Sequence, residues 1–426
     1  MVDKGVVKTI INGLHKEIAS TKLVERPMAF ETDACYVLVG IRRAGKSYLM
    51  MQDILQRIES GEITIDDCLF VNFEDERLAS IEASELNTII DCYQELFGDK
   101  KPWVYLDEIQ NVPGWEKFVR RLADQKFRVM VTGSNAKMLS REVATTLGGR
   151  YVVREVFPFS YTEYLKYHGI ELTKNWEFQS SLRLEVVRRF CDYFYYGGFA
   201  EMFSLNGKRE WINGLYQKIL LGDIVARHAI RGDRSIRLLA RKVADNVMQP
   251  TSLSRFMNIV RSSGDKMSMP TLKDYLQLME ENYLIFSLLN YASPISEQET
   301  TKKRYYIDNG LLNNFMYKGE ARLLENLCAI HLFKQYHNAE DPQLFFYNRN
   351  VEVDFYIPQE GWGVQVSYDI ADDATLEREV AALVVLNKLH SLKRAEIVTW
   401  DHEERISRDG MDIDIIPVWK WITIKH

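Results

Sequence analysis

One stretch constrains this chain more than any other. The apolar run Cys35-Tyr36-Val37-Leu38-Val39 leads directly into Gly40-Ile41-Arg42-Arg43-Ala44-Gly45-Lys46-Ser47, and an amphipathic stretch, Tyr48 to Ile58, follows. The spacing G-x-x-x-x-G-K-S asks for a strand, a tight loop and a helix. Glycines let successive backbone N–H groups turn inward around a phosphate, and the helix behind them presents its positive N-terminus to the same anion. Residues Gly40, Ile41, Arg42, Arg43, Ala44, Gly45, Lys46, Ser47 and Tyr48 are therefore the expected ATP-binding segment. Lys46 is placed to reach the outer phosphates and Ser47 to hold Mg²⁺. A chain built around such a loop is expected to be α/β, with a parallel sheet.

Bulk properties narrow the remaining classes. At 426 residues the chain exceeds what one compact core supports, so two to four domains are expected. A formal net charge of -6 argues against coating nucleic acid by bulk attraction and leaves only local basic patches. The five cysteines, Cys35, Cys68, Cys92, Cys191 and Cys328, form no C-x-x-C pair, which fits a reducing compartment and no zinc site. Met1 to Ile11 is too short in apolar length for a signal peptide, and no eighteen apolar residues run uninterrupted. A cytoplasmic protein with no membrane span is expected.

Beyond the loop, the short apolar run Asp67 to Phe73 reads as a second buried strand. Trp103-Val104-Tyr105-Leu106-Asp107-Glu108 reads as a third, closing in two carboxylates. At a strand's C-terminal end, Asp107 can hold Mg²⁺ and Glu108 can polarise a water for attack on the γ-phosphate. The next strand, Phe127 to Thr132, ends in Gly133-Ser134-Asn135, where Asn135 or Ser134 can hydrogen-bond that water or the γ-phosphate.

The order Gly-Ile-Arg-Arg-Ala-Gly-Lys-Ser, Tyr-Leu-Asp-Glu-Ile-Gln-Asn-Val, Thr-Gly-Ser-Asn and Gly-Gly-Arg-Tyr resembles the AAA-type ATPases. More closely, the chain resembles the prokaryotic family that joins such an ATPase to a C-terminal domain of unknown function. That likeness extends through Glu155 to Ser160, Tyr196-Gly197-Gly198-Phe199, Tyr306-Ile307-Asp308-Asn309-Gly310 and Gln365-Val366-Ser367-Tyr368. It implies an AAA-like ATPase domain over 1–165. It also places Arg150 where an arginine finger could reach a neighbouring subunit of a homo-oligomer, with Arg141 and Arg154 as competitors for that role.

Residues 166–235 read as a helical lid or connector, whose Tyr193-Phe194-Tyr195-Tyr196 cluster is read as core. Over 236–310 the order of helices and strands resembles a winged helix-turn-helix. Arg237, Arg241, Lys242, Arg255 and Arg261 supply cations for phosphate, whereas the would-be recognition helix offers Lys273 and ends in Glu280-Glu281. Residues 311–426 alternate helix and strand, and the family's domain resembles the PD-(D/E)xK nuclease fold. The matching positions are Glu325, Asp354, Gln365 and Ser367. The last two depart from that fold's acid and lysine, which predicts weakened metal affinity and water activation.

The expected function is ATP binding and hydrolysis that moves the C-terminal domains, with DNA as a candidate partner through Arg255 and Arg261. The alternatives are an ATP-gated DNA nuclease and a slow-turnover switch that recruits protein partners.

Overall fold

The computed structural model describes residues 2–134, 147–228, 230, 233–264, 267–316, 318–338 and 341–424. They fall into two compact units, Met1–Phe157 and Pro158–His426.

The first unit opens with α1 (Lys4–Ser20), whose N-cap Asp3 accepts a hydrogen bond from the Gly5 N–H. Then come β1 (Cys35–Val39), α2 (Lys46–Glu59), β2 (Cys68–Asn72), α3 (Asn87–Phe97), β3 (Trp103–Asp107), α4 (Trp115–Asp124), β4 (Arg128–Gly133) and β5 (Tyr151–Glu155). The sheet order is β2-β3-β4-β1-β5, and every pairing is parallel. All five residues of β1 are buried, as a strand covered on both faces requires, and this is why it reads as an unbroken apolar run. A separate 3₁₀ turn, Ala83–Glu85, precedes α3. The parallel register brings the carboxyl ends of β1, β3 and β4 to one edge. Val39 lies opposite Gly133, and Leu106 opposite Val131.

The second unit begins with α5 (Tyr161–Tyr167), α6 (Ser180–Tyr196) and α7 (Lys208–Gln217), the last running into a π-helical stretch, Lys218–Ala226. Next are α8 (Arg234–Asp245), β6 (Thr251–Ser252), α9 (Leu253–Ser262), α10 (Met269–Glu281), β7 (Ile285–Asn290), α11 (Ile295–Gln298), β8 (Thr301–Tyr306), α12 (Asn309–Asn313) and α13 (Glu320–Tyr336). The chain continues through β9 (Phe345–Asn348), β10 (Glu352–Ile357), β11 (Trp362–Val366), α14 (Asp373–His390), β12 (Arg394–Thr399), β13 (Glu404–Arg408), β14 (Met411–Pro417) and α15 (Val418–Trp421). Strands β6 to β14 form one nine-stranded mixed sheet in the order β13-β14-β12-β11-β10-β9-β7-β8-β6. Strands expected of the winged helix and strands of the C-terminal segment thus share one sheet, joined where β7 pairs parallel to β9. On α14, Val380, Leu383 and Leu386 pack against Val353, Ile397, Ile413 and Ile415.

Of the aromatic cluster closing α6, Tyr193 and Phe194 belong to the interior, and Tyr195 and Tyr196 are half-buried. Phe194 is fully buried against Phe190 and Trp400, and the Tyr193 hydroxyl donates to the Phe159 carbonyl at 2.8 Å. Two of the family-like motifs meet at the end of this helix. The Asp308 carboxylate accepts the Gly198 N–H at 2.7 Å and the Gly310 N–H at 2.8 Å, while the Asn309 amide donates to the Phe194 carbonyl at 3.0 Å. Gly197 sits at φ 78°, and a Cβ there would come within 2.1 Å of the Asp308 carboxylate, so only glycine fits.

Candidate nucleotide site

The site lies at the carboxyl edge of the parallel sheet, where the loop after β1 faces the ends of β3 and β4. Gly40, at φ 149°, lets this loop pass the backbone of Val156, whose carbonyl oxygen a Cβ would meet at 2.0 Å. The Lys46 ammonium lies inside the loop, donating to the Gly40 carbonyl at 3.1 Å and the Ile41 carbonyl at 3.2 Å. It also pairs with Glu108 at 3.6 Å. Ile41 and Ala44 are buried, and the Ala44 N–H donates to the Ile41 carbonyl at 3.2 Å, tightening the loop. Arg42 pairs with Glu74 at 2.8 Å, Arg43 holds φ 66°, and Gly45 caps α2. Tyr48, half exposed, projects from the first turn of that helix.

Ser47 and Asp107 come together across the sheet edge. The Ser47 hydroxyl donates to Asp107 Oδ2 at 2.7 Å, and the Thr132 hydroxyl donates to Asp107 Oδ1 at 2.6 Å. Thr132 in turn accepts the Glu108 N–H at 2.8 Å. Burial and the neighbouring Glu108 charge push the Asp107 carboxyl up to about 6, against the pull of the hydrogen bonds from Thr132 and Ser47. Glu108 adopts left-handed backbone angles, φ 50° and ψ 42°, an uncommon state for a side-chain-bearing residue and one that collects at functional sites.

Three residues of this site escape sequence reasoning. Thr132 closes the apolar strand β4 and earns its place only through the parallel register with β3. Gln110 donates from Nε2 to the Glu108 carboxylate and lies 3.5 Å from the Ser134 hydroxyl. Arg26 buttresses the loop from outside, donating to the Ala44 carbonyl at 2.9 Å and the Phe157 carbonyl at 3.0 Å. Of the two polar residues expected after β4, Ser134 is buried beside Gln110, whereas Asn135 lies outside the described residues, as does Arg141. Arg150 is placed elsewhere. It precedes β5 at the amino edge of the sheet, opposite the loop, and forms an ion pair with Asp124. Within its own chain it is therefore remote from Lys46.

Residues 32–165 match the family model of the AAA domain, and residues 187–322 match that of a domain of unknown function, DUF8612. The uncharacterized protein MJ1544 of Methanocaldococcus jannaschii is 31% identical, the alignment covering 99% of this chain and 96% of that protein. An uncharacterized protein of Haemophilus influenzae is 30% identical over 91% of this chain and 94% of its own. The chain belongs to their family. It is an AAA-domain P-loop protein with a domain of unknown function behind the nucleotide fold. Among solved structures, the Walker-type ATPase PABY2304 of Pyrococcus abyssi is 16% identical with a TM-score of 0.36, covering 74% of this chain and 96% of that one. AMPPCP-bound DnaA of Aquifex aeolicus is 14% identical with a TM-score of 0.27, covering 65% and 86%.

In the second unit of this AAA-domain protein, Glu325 from α13, Asp354 from β10 and Gln365 from β11 line one cavity of about 940 Å³. Ser367 is at its rim, its hydroxyl donating to the Asp369 carbonyl at 3.1 Å. A fourth side chain, which the sequence did not single out, reaches the acids from β8. The fully buried Lys303 ammonium is 2.8 Å from Asp354, 2.9 Å from Glu352 and 3.3 Å from Glu325. Burial opposes its charge, but Asp354, Glu325 and Glu352 outweigh that and hold its pKa well above the ordinary lysine value. Burial and the Asp354 charge push the Glu325 carboxyl up.

Among the described residues no helix is long and apolar enough to cross a membrane.

Proposed function

We propose that the protein binds and hydrolyses ATP at the edge of its parallel sheet and uses nucleotide state to reposition its C-terminal segments. One observation carries this reading: Ser47, Asp107, Thr132, Glu108 and Lys46, drawn from three separate segments, converge through hydrogen bonds and an ion pair at the mouth of the loop. The hydroxyl of Ser47 beside the carboxylate of Asp107 is an all-oxygen donor pair of the kind a hard cation prefers, so these residues fit Mg²⁺. When bound, Mg²⁺ would neutralise charge on the phosphates. In this reading the loop's N–H groups and Lys46 hold the phosphates, Thr132 fixes the direction of both acids, and Glu108 takes the proton from the attacking water. Arg150 is proposed to act on the site of a second copy. Phosphate release from the wild type, Lys46→Ala and Glu108→Gln tests the assignment. Lys46→Ala is expected to lose binding or turnover, and unchanged ATP affinity and turnover in that variant would sink it.

A second reading, the slow-turnover switch, is supported by two contacts of Glu108. Gln110 and Lys46 both engage the Glu108 carboxylate, and a base held from two sides must be released before it can accept a proton.

DNA is a weaker candidate partner than protein. The order α8, β6, α9, α10, β7, β8, with β6 and β7 both antiparallel to β8, supports the winged-helix reading. Yet the turn that would act as the wing sets Tyr291 edge-on against Phe345 and Tyr356, and it carries Glu297 and Glu299. Acidic residues at that turn repel phosphate, which favours a packing role for this module.

A further inference from the structure

The nuclease-like fold that the sequence resembles would use Glu325, Asp354 and the residue at 365 to hold a divalent cation. The donor set present does not fit one. Gln365 Oε1 accepts the Asp354 N–H at 2.8 Å, and its Nε2 donates to the Glu352 carbonyl at 3.1 Å and to the Glu379 carboxylate at 2.7 Å. The carbonyl that could have served a metal is thus committed to backbone, and a donor faces the acids instead. Asp354 accepts the Val366 N–H at 2.9 Å on Oδ2 and Lys303 on Oδ1. Glu325 Oε1 takes both Lys303 and the Tyr305 hydroxyl, the latter at 2.7 Å. Among the described residues no group of three or more His, Cys, Asp or Glu is disposed to hold a metal ion.

We propose that Lys303 is the permanent cation of this cluster, so that the cavity of the second unit works without a divalent metal, as a binding pocket that cleaves no phosphodiester. The argument is one of charge and position. A buried carboxylate group needs a paired cation, and Lys303, with no solvent exposure, meets three carboxylates at once. It enters from β8, two positions before Tyr305, so the strand's alternation delivers both the ammonium and the phenol hydroxyl to Glu325. Lys303 thus offsets part of the acids' charge from within the fold, and Arg322 and Arg378 also line the cavity, Arg378 paired with Glu379 at 2.7 Å. This inference does not depend on ATP hydrolysis in the first unit.

Mn²⁺ binding tests it, measured on the full chain without nucleotide in a Lys46→Ala, Ser47→Ala background that removes the loop's own cation site. With Lys303 present, no Mn²⁺ is expected to bind at submillimolar concentration, and plasmid DNA is expected to stay intact with Mg²⁺ or Mn²⁺. Lys303→Met is expected to lower the thermal midpoint, to gain one Mn²⁺ per chain, and to recover several degrees when Mn²⁺ is added. Adding Asp354→Asn is expected to remove that gain. If Lys303→Met does not fold, the comparison of Lys303-containing protein with and without Asp354→Asn decides alone. One Mn²⁺ bound beside Lys303 and lost in Asp354→Asn would overturn the proposal. So would Mn²⁺-dependent nicking that Lys303→Met abolishes, or a folded Lys303→Met that gains no metal.

Discussion

Glu108 holds two relationships that its sequence neighbours do not announce. Its backbone N–H is fixed by Thr132, and its carboxylate lies between Lys46 and Gln110. The loop and the acid pair were legible because each is a contiguous string whose chemistry follows from residue type and spacing. Thr132 and Lys303 were not, because a strand register carries each to partners distant in the chain, and Gln110 was not, because only the turn after Glu108 folds its amide back onto that carboxylate. Gln110 also gives the sharpest contrast between hydrolysis and a slow switch. If it restrains Glu108, Gln110→Ala should raise steady-state phosphate release a few-fold with ATP affinity nearly unchanged. A fall of roughly tenfold or more, on the order of losing general-base catalysis, would assign Gln110 to positioning Glu108 and remove the support for the switch.

At the scale of elements, the pairing of α6 with α12 turns two otherwise uninformative motifs into one joint. Tyr196-Gly197-Gly198 and Asp308-Asn309-Gly310 looked like family markers with no chemistry, and a sequence cannot show that a carboxylate will sit where a Cβ would go. Burial pushes the Asp308 carboxyl up to about 6 from an ordinary 3.8, even though the Gly198, Gly310 and Leu311 N–H groups favour its charge. The folded chain therefore holds this proton more tightly than the unfolded chain does. Its stabilising effect is complete below about pH 4 and is lost as pH rises towards 6, by roughly 3 kcal/mol at most. Denaturation midpoints of wild type and Asp308→Asn across pH 4 to 7 should differ in slope in that window, the variant lacking the decline. Parallel slopes would show that Asp308 does not titrate there. The hairpin of β13 and β14 was illegible for a different reason. Four of the five β13 residues are exposed or charged in a way that suits an edge strand but gives no apolar alternation to read.

For the whole molecule, the α/β class and the parallel nucleotide sheet followed from the loop, while the nine-stranded sheet of the second unit did not. Its β7 to β9 pairing joins segments about sixty residues apart, and periodicity carries no information about such neighbours. That pairing also bears on partners. If DNA binds through Arg255 and Arg261 of α9, reversing both to Glu should weaken binding and flatten its salt dependence. Wild-type protein that shows no salt-dependent DNA binding would leave protein partners as the class to pursue.

The function proposed for this AAA-domain protein depends on the loop between Gly40 and Ser47 serving a hydrolytic site. The most direct measurement is ATP binding and steady-state phosphate release, made side by side on wild type and Glu108→Gln with Mg²⁺ present. The account predicts that both bind ATP with similar affinity and that the variant releases phosphate at least about tenfold more slowly. Equal phosphate release by the two proteins would contradict it.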